Sequence, residues 1–117
     1  MSYIDGFVIA APTADRAKFI DHAERMDAIF LEMGALRIVE GWADDVPKGE
    51  HTDFHHAVQA RDDETVVFSW IEWPDKATAD AAYEKMMSDP DMQKMGEMPF
   101  DGMRMMWGGF EPVVDER

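Results

Sequence analysis

The sequence predicts an α+β fold of ferredoxin-like type, βαββαβ, with a four-stranded antiparallel sheet and both helices on one face. Three observations carry this. Strand-like runs and helix-like runs alternate as strand–helix–strand–(extra strand)–strand–helix–strand, which is two βαβ halves. The chain has 117 residues, so one domain over 1–117 is expected, with no room for a second. Apolar residues make up 46% of it, with 4 Trp, 2 Tyr and 7 Phe, too many for a disordered acidic tail.

The first strand is read at residues 3–10, ending at Pro12. Tyr3, Asp5, Phe7 and Ile9 share one face; Ile4, Gly6, Val8 and Ala10 share the other. The second set is slimmer, so it is expected to lie under the helices. Thr13 is the expected N-cap of the first helix. Phe19, Ala23, Met26, Phe30 and Met33 recur at helical spacing, and Gly34 stands where a left-handed helix stop belongs. Leu36 to Trp42 is a second strand. Residues 43–51 are turn-rich, and alternation over 53–60 predicts an extra edge strand or hairpin.

Val66 to Trp73 is the strongest strand, with Val66, Phe68 and Trp70 on one face. Asp75 caps the second helix, whose apolar stripe is Ala79, Ala82, Tyr83 and Met86, and Ser88-Asp-Pro90 ends it. Asp91 to Met95 is read as a short helical turn, and Met103 to Phe110 as the last strand.

Charge narrows the partners. There are 11 Lys+Arg against 25 Asp+Glu, a net −14. Nucleic-acid affinity comes mostly from cations displacing condensed counterions, so no nucleic-acid partner is expected. Anionic membranes are disfavoured for the same reason. No run approaches the ~20 apolar residues of a membrane span. The first residues also lack the basic region of a signal peptide, so the cytoplasm is the expected location. Cysteine is absent, which removes thiolate nucleophiles, Cys-ligated metals and disulfides.

The helix-free sheet face is expected to show Tyr3, Phe7, Phe68 and Trp70. That patch is too apolar to stand in water, and its simplest cover is a second copy of the chain. A homodimer is therefore expected.

Longer stretches carry a resemblance. Asp5-Gly-Phe-Val8, Gly34-Ala-Leu-Arg-Ile-Val-Glu40, Trp42-Ala-Asp-Asp-Val-Pro47 and Thr52-Asp-Phe54 are of this kind. So are Val66-Val-Phe-Ser-Trp-Ile71, Met86-Met-Ser-Asp-Pro90, Pro99-Phe-Asp-Gly102, Arg104-Met and Gly108-Gly-Phe110. In order and over nearly the whole chain, the sequence resembles the YbaA-like family of uncharacterised bacterial proteins, domain of unknown function 1428. The resemblance implies a dimeric α/β barrel in which two ferredoxin-like sheets pack face to face. It implies no reaction, because the family has no established activity, and the relatives of that fold range over cofactor-free monooxygenases, isomerases, haem-handling enzymes and ligand-binding domains. The histidines His55 and His56 depart from the family pattern. A link to the signal-recognition-particle RNA, drawn for some members, conflicts with the acidic balance here.

Candidate chemistry is sparse. His51 and His55 are four apart, a ligand spacing only if the segment is helical; alternation instead puts His55 and His56 on opposite sides of a strand, solvated. No metal site is expected. Eight of the eleven methionines fall between Met86 and Met106, as core, dimer packing or an adaptable pocket wall. Asp44-Asp45 and Asp62-Asp63-Glu64 read as solvated loops.

The four ionisable residues Asp5, Arg37, Glu72 and Arg104 are expected together on the inner barrel face, with Glu40 and Asp101 near its rim. They would either form ion pairs across the dimer or act as a site, Arg stabilising a developing enolate or phenolate and a desolvated carboxylate serving as base. The pocket expected there is lined by Tyr3, Phe7, Phe68, Trp70 and Met106. No phosphate loop or dinucleotide fingerprint is present, so no cofactor is expected. Three functions remain open: binding a small apolar or aromatic molecule, cofactor-free proton abstraction, and a purely structural dimer.

Overall fold

Two ten-residue strands form the centre of the sheet. The β1 strand (Tyr3–Pro12) and β3 (Glu64–Trp73) pair antiparallel along their whole length, from Tyr3 opposite Trp73 to Pro12 opposite Glu64. The β2 strand (Arg37–Trp42) pairs with the outer edge of β3, and β4 (Met106–Phe110) with the outer edge of β1. The order is β2-β3-β1-β4, all antiparallel, as a ferredoxin-like fold requires. This is a computed structural model, and it describes residues 2–90 and 98–117. The turn expected at Asp91 to Met95 lies outside the described residues.

Two helices, α1 (Arg16–Glu32) and α3 (Lys76–Ser88), cover one face. Phe19 and Ala23 of α1 pack on Ile9, Ala11 and Val67; Ala79 and Ala82 of α3 pack on Ile71 and Trp73. Asp75 caps α3 as expected, accepting the Thr78 amide at 2.7 Å. Gly34 closes α1 at φ +110°, a conformation that suits glycine. Among the described residues, no helix is long and apolar enough to cross a membrane.

Four local expectations are corrected. The faces of β1 are inverted: Tyr3, Asp5, Phe7 and Ile9 share the helix side with Val67, Ser69, Ile71 and Trp73. The helices supply the small partners (Ala23, Ala79, Ala82), so the strand can supply the large ones. On the open face, Gly6 and Val8 stand opposite Trp70 and Phe68. The expected edge strand over 53–60 is instead a short helix, α2 (Phe54–Ala57). Asp53 caps it, taking the His56 amide at 2.7 Å and the Gly49 amide at 3.0 Å. Val58 then packs on Val8, Ala10 and Val66 of the open face.

Thr13 does not cap α1. It opens a 3₁₀ turn, Thr13–Asp15, and its hydroxyl hydrogen-bonds that of Thr65. The last strand begins only at Met106, because Asp101 takes the Met103 amide and caps a 3₁₀ turn at Gly102–Arg104.

Candidate functional site

The sheet separates two concavities. A cleft of about 490 Å³ lies on its helix side, between the β1–β3 centre, α3 and β4. A shallower hollow of about 600 Å³ lies on the open face. The pocket expected as one set is split between them: Tyr3 lines the cleft, Phe68, Trp70 and Met106 line the hollow, and Phe7 borders both.

Strand alternation and an α3 turn build the cleft. Tyr3, Asp5 and Phe7 point into it from β1, and Ile71 and Trp73 from β3. The α3 helix adds Ala79, Tyr83 and Met86, and β4 adds Trp107. Trp73 is buried and meets Phe30 of α1 edge-on, ring centroids 6.4 Å apart. Tyr83 and Trp107 are half-exposed and stack at 5.8 Å to form one wall of the mouth.

Asp5 is the polar group within this apolar cleft. Its Oδ2 accepts the Trp73 indole N–H at 2.9 Å. Burial pushes its carboxyl above the usual range; the indole bond opposes the shift, and nearby Asp80 adds to it. Among the described residues, the other charged one lining the cleft is Asp80 itself, at 2.7 Å from the Lys76 ammonium.

The four expected charges do not meet. Arg37 and Glu72 face one another on the open side, 3.8 Å apart, and Glu72 also accepts the Trp70 indole at 3.0 Å. Asp5 lies through the sheet from them. Arg104 lies apart from both, held by Glu64 at 2.7 and 2.8 Å, by Asp101 at 3.0 Å and by the Gln59 carbonyl at 2.9 Å. Those contacts pull Glu64 and Asp101 below the usual carboxylate range.

Glu40, expected near a barrel rim, instead stands against Asp27 of α1 on the helix side, its carboxyl pushed up to about 8 by burial and by that second acid. Asp27 is raised as well, chiefly by burial. Residue patterning missed this pair, because Asp27 reads as one more solvated helix acid. Patterning also missed Tyr83, Trp107 and Trp73 as cleft walls; the one available signal was that Tyr83 shares a helical stripe with Ala79.

His55 and His56 lie on α2, while His51 precedes the helix, so the four-residue spacing does not put His51 and His55 on one helical face. His56 Nδ1 is 2.9 Å from Asp53 and exposed, while His55 Nδ1 is 3.9 Å from it and has no hydrogen-bond partner. Among the described residues, no three His, Asp or Glu side chains converge as metal ligands.

Comparison with known proteins places this geometry in context. A family model described as protein of unknown function (DUF1428) matches residues 2–102. The uncharacterized protein YbaA of Escherichia coli K12 is 56% identical, over 99% of this chain and 100% of its own length. The protein of the same description from Shigella flexneri matches to the same extent. Two crystal structures of dimeric ferredoxin-like proteins from an uncultured marine organism share the fold. One has a TM-score of 0.57 at 10% identity, covering 100% of this chain and 97% of that one. The other has a TM-score of 0.51 at 14% identity, covering 100% and 99%.

Proposed function

Because the chain belongs to the DUF1428 family of proteins of unknown function, we propose its role from its geometry: a homodimer that binds one small, largely apolar molecule per protomer in the helix-side cleft. The observation that carries this is the cleft itself. It is of ligand size, walled by aromatic side chains, and holds a carboxylate with a perturbed pKa, the combination expected of a binding site. Dimerisation through the open sheet face is supported by the apolar side chains it exposes, among them Phe68, Met106 and Phe110, and by the dimeric state of the two marine proteins.

The layout of charges favours binding over catalysis. Proton abstraction beside a carbonyl needs a base and an electrophile that stabilises the developing oxyanion. Asp5 offers the base, but Arg37 and Arg104 both lie outside the cleft.

Trp73 and Trp107 line the cleft, so their fluorescence reports occupancy. Titration with aromatic acids, quinones, aromatic amines and fatty acids should find a class that shifts it, and Tyr83→Ala should weaken that response. Silence from every class, with a solved structure showing the cleft filled by the chain's own side chains, would leave only a structural role.

A further inference from the structure

We propose that the cleft selects a cation: a small organic ammonium with an aromatic or aliphatic body. This rests on the cleft being a ligand site, as proposed above, and adds the charge of its occupant.

The first argument is the charge inventory. Among the described residues, Asp5 and Asp80 are the charged side chains that line the cleft, and no Lys, Arg or His joins them. Asp80 is already compensated at the mouth by Lys76, at 2.7 Å. Asp5 is not. Its Oδ2 is held by the neutral Trp73 indole, and its Oδ1 has no partner among the described residues. Asp5 is half-buried, and a carboxylate partly withdrawn from water with no cation on it gains from an incoming ammonium. An anionic ligand would meet Asp5 directly, and a neutral one would leave it uncompensated.

The second argument is independent of the first. The walls are rich in aromatic side chains: Tyr3, Phe30, Trp73, Tyr83 and Trp107. Aromatic rings carry negative charge on their faces and attract ammonium groups, most strongly where water is excluded. The chain itself makes this contact at the mouth, where the Lys76 ammonium stands 6.0 Å from the Tyr3 ring centroid. The same ammonium thus stands near a ring and on a carboxylate, the pairing that Tyr3 and Asp5 offer from neighbouring positions on one face of β1.

Three probes of one frame and different charge decide it: benzyltrimethylammonium, benzyl alcohol and benzoate, titrated against the full chain by NMR shift and Trp fluorescence. The ammonium should bind at least about tenfold tighter than the alcohol, and benzoate most weakly. Asp5→Asn should remove most of that preference. A preference that persists undiminished in Asp5→Asn comes from the acidic surface and overturns the proposal. Equal affinities, or a preference for the alcohol or benzoate, overturn it too while leaving the cleft as a ligand site. Binding by none of the three at millimolar concentration overturns it, and the wider titration above then decides separately whether the cleft takes a ligand. Should Asp5→Asn fail to fold, the wild-type ranking of the three probes, repeated in 0.5 M salt to screen the surface, still gives the answer.

Discussion

Asp5 accepts the indole N–H of Trp73 at 2.9 Å, from a position diagonal to it on the helix side of adjacent strands. The bond ties the acid of the cleft to a tryptophan only 1% exposed, which packs under Ala79 and Ala82 of α3. Trp73→Phe removes the donor and leaves a void at once. The expected loss of stability is about 2–4 kcal/mol, read by urea denaturation. A loss below about 0.5 kcal/mol would mean that the site collapses freely and that Trp73 is not the keystone between β3 and α3.

The raised pKa of Asp5 fixes the sign of a pH effect. A carboxyl whose folded pKa lies above its unfolded value binds more protons in the native state, so its contribution to stability falls as pH rises through that interval. The charged group that acts on it is Asp80 of α3, itself paired with Lys76, and it adds to the rise. Asp5→Asn should therefore flatten stability between the ordinary carboxylate range and neutrality. A slope unchanged from wild type would sink the assignment.

Asp27 and Glu40 give a second, separate pH response. Both are raised, Glu40 to about 8, so the pair favours the fold when it holds a proton and weakens it once that proton is lost. Stability should decline from about pH 5 to pH 8, and Glu40→Gln should raise the thermal midpoint at pH 8 but not at pH 5. Glu40 keeps appreciable contact with solvent, so screening limits the gain to about 0.5–1 kcal/mol. Melting curves at the two pH values make the comparison, and an equal shift at both would refute the shared-proton account.

The open sheet face carries the assembly prediction. Phe68 is 47% exposed, between Phe54 at 5.8 Å and Trp70 at 5.9 Å between ring centroids. Phe68→Glu places a charge in the centre of that face without touching the helix-side core. Wild type should sediment near twice 13.4 kDa, and the variant near 13.4 kDa with unchanged far-UV circular dichroism. A wild-type monomer at micromolar concentration, or a variant that still dimerises, places the interface elsewhere.

What patterning could and could not reveal follows from the range of each interaction. The order of the four sheet strands and two long helices, the Asp75 cap and the Gly34 stop rest on local signals and stand as expected, although β4 begins three residues later than read. Phe68 and Trp70 on the open face were legible because β3 alternates clearly between ring and smaller side chains. The faces of β1 were not, because Tyr3, Phe7 and Ile9 alternate with Ile4, Val8 and Ala10, apolar on both sides. The better clue lay in the helices, whose alanines ask for large partners across the interface. At 53–60 the alternation of Phe54, His56 and Val58 fitted a strand, but Asp53 takes two amides and turns the chain into a helix instead. The cleft could not be read at all: it needs the separation of α3 from β1 and β4, which no local pattern encodes.

Gly34 tests how α1 meets α3. At φ +110°, a Cβ would strain the backbone and would also stand 2.9 Å from the Thr78 methyl at the start of α3. Gly34→Ala should cost about 1–2 kcal/mol, at the upper end of a lost helix stop because the steric contact adds to the backbone term. A neutral result by chemical denaturation would show that α3 yields at its first turn.

Arg104, expected at a reactive centre, is assigned a structural task. It joins the 59–64 turn to the turn that launches β4, contacting Glu64 through two nitrogens while also holding Asp101 and the Gln59 carbonyl. Glu64 is only 7% exposed in its side chain, so Arg104→Met leaves a desolvated carboxylate unpaired. The thermal midpoint should drop by several degrees. Glu64 and Asp101 both titrate below the usual range in the fold, so their contribution is present above that range and is lost as pH falls through their lowered values. The deficit of Arg104→Met should accordingly be largest near neutrality and shrink on acidification. Adding Glu64→Gln should recover part of it, because a neutral amide left behind costs less than a charge. If Arg104→Met melts with wild type at pH 7, or if the second substitution makes matters worse, the guanidinium is not what joins the two turns.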